Sequence, residues 1–224
     1  MYFIIVGVFA LIGMFVSNRL KSKFNHYSQV PMTNGLTGAE VAAKMLSYYR
    51  IDDVKIVQGQ GMLTDHYNPT NKTISLSPAV YNGRHVSAAA VASHECGHAV
   101  QHAEAYTWLQ FRSKMVPVVQ LSARAQSFLL WPILIFGGLG AGSSGLLWQI
   151  FIGTFVVTTL FALVTLPVEF DASKRALAWL DESRVATGVQ HEGAKDALWW
   201  AAMTYVVSAL SALTVLLYLI LSRD

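Results

Sequence analysis

Within Ser93-His94-Glu95-Cys96-Gly97-His98, two histidines stand four residues apart with a glutamate directly after the first. On a helix that spacing stacks the two imidazoles one turn apart on one face, where their nitrogens can converge on a single divalent ion. Zinc suits imidazole ligands, and a centre with three protein ligands keeps a fourth position open for water. Glu95, beside the first ligand, is directed at that water and can take its proton. The pattern therefore predicts metal-assisted hydrolysis, with one Zn²⁺ held by His94 and His98 and with Glu95 as general base. The residues around it, Ala88 to Ala92 with Ala99 and Val100, are apolar. Two histidines and a glutamate would be costly to bury there without a metal.

A third protein ligand is required, and His102, Glu104 and Glu169 are the candidates. His102 lies about 80° further round the helix than His94, too far to complete a tetrahedron. The metzincin arrangement would need a chain-reversing glycine and a histidine at positions 101 and 104, which are Gln and Glu. Glu169 remains, with Asp171 as fallback. The competing reading of Glu169 is a carboxylate at a helix start, satisfied by backbone amides.

The elements that must position these groups can be read from caps and turns. Thr37-Gly-Ala-Glu40 is a capping box, predicting a helix to about Tyr49 that buries Val41, Ala42, Met45 and Leu46. Val54 to Val57 and Lys72 to Leu76 are short β-prone pieces among turn residues. Ser77-Pro78 opens a short helix that Asn82-Gly83 ends, and the metal helix runs from about Ser87 to Ala105.

Hydrophobic residues make up 54% of the 224, more than a soluble domain of that size carries. Met1 to Asn18, Ala125 to Thr165 and Ala197 to Ser222 contain no Asp, Glu, Lys or Arg, and the second is long enough to fold back as two spans. Within it, 128–142 holds Pro132 and four glycines and spans poorly unless it begins inside the preceding helix. Leu166-Pro167 reads as the end of a span, with Glu169 opening an amphipathic helix.

Fifteen of the sixteen basic residues lie in 19–124 and 174–195. With a two-span hairpin between them, both segments face one side, cytoplasmic by the positive-inside tendency. That places Glu169 within reach of the histidines. The net charge of +3 carries no nucleic-acid signal. The single cysteine, Cys96, excludes an intramolecular disulfide.

Several long, ordered stretches resemble the bacterial membrane neutral zinc metallopeptidase family. They are Leu36 to Ala42, Leu63 to Tyr67, Tyr81 to Arg84, His94 to His102 and Leu166 to Ser173. The chain is more distantly similar to HtpX-type membrane proteases, which combine H-E-x-x-H with a glutamate ligand after a transmembrane hairpin. That resemblance implies Glu169 as ligand. Such enzymes often carry an aspartate four residues after it to orient a histidine; here that position is Ser173, which leaves Asp171 and His102 as candidates for the supporting shell. His66, near a strand that could pair with an extended substrate, is a candidate for stabilising the oxyanion, while Asp65 reads as part of a turn. Cys96 faces away from the histidine pair and reads as packing.

The expected architecture is a mainly α membrane protein: a zincin-like helical catalytic domain with a small β-ribbon and about four transmembrane helices. Its parts are an anchor (1–18), the catalytic region (19–127), a hairpin (128–166), a helix carrying the third ligand (167–196) and a last span (197–222). The expected function is zinc-dependent endopeptidase in the bacterial cytoplasmic membrane, acting on protein or peptide substrates near the bilayer from its cytoplasmic side. The rival is a non-catalytic zinc-binding membrane protein, weakened by Glu95, for which a structural site has no use.

Overall fold

The computed structural model describes residues 2–132 and 145–222. Seven helices and one small sheet make up these residues: α1 (Tyr2–Tyr27), α2 (Gly38–Tyr48), β1 (Lys55–Gln58), β2 (His66–Asn68), β3 (Thr73–Leu76), α3 (Pro78–Tyr81), α4 (Val86–Ala103), α5 (Thr107–Pro132), α6 (Leu146–Glu182) and α7 (Val189–Leu221).

The capping box forms as its residues dictate. The Thr37 hydroxyl accepts from Glu40 N at 3.1 Å, and the Glu40 carboxylate accepts from Thr37 N at 2.7 Å. That backbone hydrogen bond holds the Glu40 carboxyl below its ordinary range. The helix it starts buries Val41, Ala42, Met45 and Leu46 against α4, as the spacing predicts. The sheet has the order β1-β3-β2, with β1 parallel and β2 antiparallel to β3. Asp65, read as part of a turn, lies just before β2, a strand that the sequence did not announce. Asp65 accepts from Ser77 N at 2.7 Å and from Ser77 Oγ at 3.1 Å, fastening the approach to β2 onto the start of α3.

α4 occupies the centre. Fourteen of its eighteen residues are buried, several of them alanine or glycine, so neighbouring backbones come close. His85 caps it: Nδ1 accepts from Ala88 N at 3.1 Å, and burial lowers the imidazole pKa. Cys96 is fully buried towards α2, its Sγ 3.5 Å from Ala42 O, and burial raises its thiol pKa well above the usual value.

Three helices among the described residues are long and apolar enough to cross a membrane: α1, α6 and α7. Residues 128–142, the further expected crossing, lie mostly outside the described residues, α5 covering only their first part. α6 does not break at Pro167. It runs as one helix of 37 residues, about 55 Å, so it exceeds the roughly 30 Å of hydrocarbon and carries its last turns beyond it. A proline in a spanning helix is tolerated where neighbouring helices surround the disturbed turn, and Val168, directly after it, is fully buried.

The polar ends of these helices lie together. Lys23 of α1 pairs with Asp196 of α7 at 2.6 Å, and Tyr27 donates to the same carboxylate at 2.8 Å. Arg175 of α6 bonds Glu104 at the end of α4.

Candidate metal centre

Gly97, between the two histidines of α4, sets the distance to α6. A Cβ there would stand 2.5 Å from the carbonyl oxygen of Ala172, so only glycine admits so close an approach. One turn before Ala172 on α6, Glu169 then faces the histidine pair. Its Oε2 lies 3.3 Å from His94 Nε2 and 3.6 Å from His98 Nε2.

These separations fit a metal. Ligands about 2.0–2.1 Å from the centre of a tetrahedron stand about 3.3–3.4 Å apart. Glu169 is 2% exposed, and its Oε2 is buried without a hydrogen-bond partner even though both imidazoles are near. The three atoms thus face a shared volume rather than one another, the arrangement expected of a ligand set. Glu169 also sits in the interior of α6 and not at a helix start, so backbone amides cannot satisfy it.

The second nitrogen of each imidazole is engaged. His98 Nδ1 lies 3.0 Å from Gln101 Oε1. The amide nitrogen of Gln101 donates to Val168 O and to Asp171 Oδ2, each at 2.8 Å, so its oxygen is left as the acceptor. His98 therefore carries its proton on Nδ1, and the Nε2 lone pair is free for a metal. Arg175 extends the chain by donating to Asp171 at 2.6 Å. His94 Nδ1 lies 3.1 Å from Ser173 Oγ, one turn beyond Glu169. Burial opposes a charge on His98, but the adjacent Glu169 carboxylate outweighs it and raises the imidazole pKa.

Glu95 is buried and lines a cavity of about 150 Å³ together with His94, Phe24 of α1, and Ala202 and Tyr205 of α7. The wall of the centre is thus made partly by helices able to cross a membrane. Two more groups attend Glu169: the Arg112 Nη2 of α5, 3.6 Å from Oε1, and Tyr205 of α7, which lines the same cavity.

The remaining sequence candidates fall elsewhere. His66 is exposed on β2, its Nδ1 2.8 Å from Thr64 O, and is not among the residues lining the cavity. His102 sits on another face of α4, its Nδ1 2.7 Å from the Tyr67 hydroxyl, whose pKa burial and Asp53 push up to about 12. Asp171 reaches His98 only through Gln101. Gln101, Ser173, Arg112 and Tyr205 carry no motif of their own. Helical spacing could have found Gln101, three residues after His98, while the resemblance already pointed to position 173, where a serine in place of the aspartate led to Asp171 and His102 instead.

Residues 2–224 match the profile of the family described as "Putative neutral zinc metallopeptidase". A Bacillus subtilis (strain 168) protein named "Putative membrane protease YugP" is 40% identical over 218 residues, covering 97% of this chain and 94% of that protein. No solved structure matches the chain.

Proposed function

The chain belongs to the neutral zinc metallopeptidase family, and from that premise we propose that it is a membrane-embedded endopeptidase whose zinc is held by His94, His98 and Glu169. The observation that carries this reading is the buried, unpartnered Glu169 Oε2 at tetrahedral spacing from two imidazole nitrogens. Zinc, when bound, supplies a Lewis acid that acidifies water and polarises a carbonyl. Glu95, on the cavity wall, takes the proton of the attacking water and returns it to the leaving amine nitrogen. Gln101 and Ser173 keep both imidazoles turned with Nε2 inward. Tyr205, which lines the same cavity, would donate to the oxygen that gains charge as the carbonyl is attacked.

The site faces the cytoplasm in this reading. The support is the gathering of Arg19, Lys21, Lys23, Lys174, Arg175 and Lys195 beside the apolar parts of α1, α6 and α7.

The test is Glu95→Gln in purified, zinc-loaded protein. The amide leaves both imidazoles in place but accepts no proton, so zinc content should match the parent while peptide hydrolysis falls by about 10²–10⁴-fold. Unchanged hydrolysis would remove Glu95 from the mechanism. Full zinc occupancy with no hydrolysis by the parent would favour the non-catalytic zinc-binding alternative.

A further inference from the structure

A second open space lies beside the metal cavity. It has a volume of about 460 Å³ and runs between Phe170, Lys174 and Ala178 on α6 and Lys195 and Trp199 on α7. Ser173, Leu198 and Ala202 line both spaces, so the groove adjoins the site at the serine that meets His94.

Its direction follows from the helices that form it. α6 from Phe170 to Asp181 and α7 from Ala202 to His191 each cover eleven residue steps, about 16 Å. Both lead out of the apolar segments into the polar part of the molecule. At the apolar end the exposed aromatics Phe170 and Trp199 have the character of a membrane–water boundary. Further out come Lys174, exposed and in no ion pair among the described residues, and Lys195, which shares Glu192 at 3.7 Å. Asp181 and His191 stand at the outer end.

We propose that this groove receives the juxtamembrane stretch of a second, membrane-anchored polypeptide as that chain leaves the bilayer, and that it presents this stretch to the metal centre. The proposal rests on the hydrolytic reading above and names its substrate class. At about 3.3 Å per residue, some five extended residues fill the groove. Ser173 is three residues past Phe170, about 4.5 Å along α6, so the bond presented lies within about four residues of the anchor. Lys174, in no ion pair among the described residues, favours an acidic residue just outside it. Segments leaving a membrane on the cytoplasmic side are enriched in Lys and Arg, so Lys174 near the inner end turns most of them away and selects a minority, while Asp181 balances charge at the outer end.

The experiment uses full-length Glu95→Gln protein, zinc-loaded, in phosphatidylcholine–phosphatidylglycerol liposomes, with Ala178→p-benzoylphenylalanine as photocrosslinker. The probes are a peptide with a 20-residue Leu/Ala span followed by an acidic flank, the same peptide with a basic flank, and the acidic flank without its span. The expected result is crosslinking within about five residues of the span, strongest for the acidic flank, with Lys174→Glu lowering that preference about two- to fivefold. Capture of lipid alone, or equal capture of the span-free peptide, would overturn the proposal. Crosslinking of the anchored peptide, with no cleavage of it by the parent protein, would uphold the groove and sink the peptidase reading.

Discussion

α4 and α1 are both rich in apolar residues and bury them in opposite ways. Fourteen of the eighteen residues of α4 are buried inside protein, whereas Val16 and Phe24 are the only buried residues of α1. Phe3, Ile4, Leu11 and Phe15 of α1 are well exposed on the protein, a surface suited to lipid. The difference shows what hydrophobicity alone leaves undecided. A helix enclosed by other helices must satisfy each polar group from its neighbours, so His94, His98 and Gln101 have definite partners. A helix facing lipid avoids polar groups altogether, and little about its rotation is specified.

Substitutions at glycine and at the ligands sharpen this contrast. The largest effect is expected from Glu169→Ala, which removes a bond and the only negative charge among the proposed ligands; zinc titration should find occupancy severely reduced even at high metal. His102→Ala, on another face of α4, should titrate like the parent. Gly97→Ala comes next, because its methyl group meets backbone and not a movable side chain. It should cost about 1–3 kcal/mol of stability and displace α6, with loss of zinc affinity measured alongside thermal unfolding in detergent. Gly13→Ala in α1 has nothing within 4 Å of the added carbon. It should leave both quantities within error, and a loss as large as at Gly97 would break the comparison.

Gln101→Leu tests whether the enclosed polar chain matters. It frees His98 from its tautomeric constraint and leaves Asp171 with Arg175 alone, so zinc affinity should fall about 10–100-fold. The smallest effect belongs to the cap of α2. Thr37→Ala should cost about 1 kcal/mol at neutral pH. Since the folded state lowers the Glu40 pKa, the contribution of that carboxylate is present above its unfolded value and is lost as pH falls through the lowered one. The gap between parent and variant should therefore narrow in acid, as followed by unfolding temperature against pH.

Much of the candidate site is legible because its physics is local or excludes alternatives. The histidine pair needs only helical spacing, and Glu169 emerged once charge distribution placed two distant segments on one side. The capping box of α2 is equally local. What escaped depends on tertiary context. Pro167 looks like a terminator in isolation, yet α6 continues through it under the cover of its neighbours. β2 is three residues long and is defined by its pairing with β3, so no periodicity announces it. Arg112 reaches Glu169 from α5 and Tyr205 joins the same cavity from α7, positions that only the packed helices determine. Of the two supporting candidates, Asp171 meets His98 only through Gln101, and His102 bonds Tyr67 on another face.

The placement of Glu169 on α6 also bears on biogenesis. The third proposed ligand is 71 residues downstream of His98, on a helix whose apolar part precedes it. As the chain leaves the ribosome, the histidine pair emerges first, and the carboxylate can join it only after α6 has been threaded and docked on α4. Until that insertion the ligand set is incomplete. On the proposed function, delivery to the bilayer would then act as a safety catch, since the ligand set closes only once α6 has docked on α4.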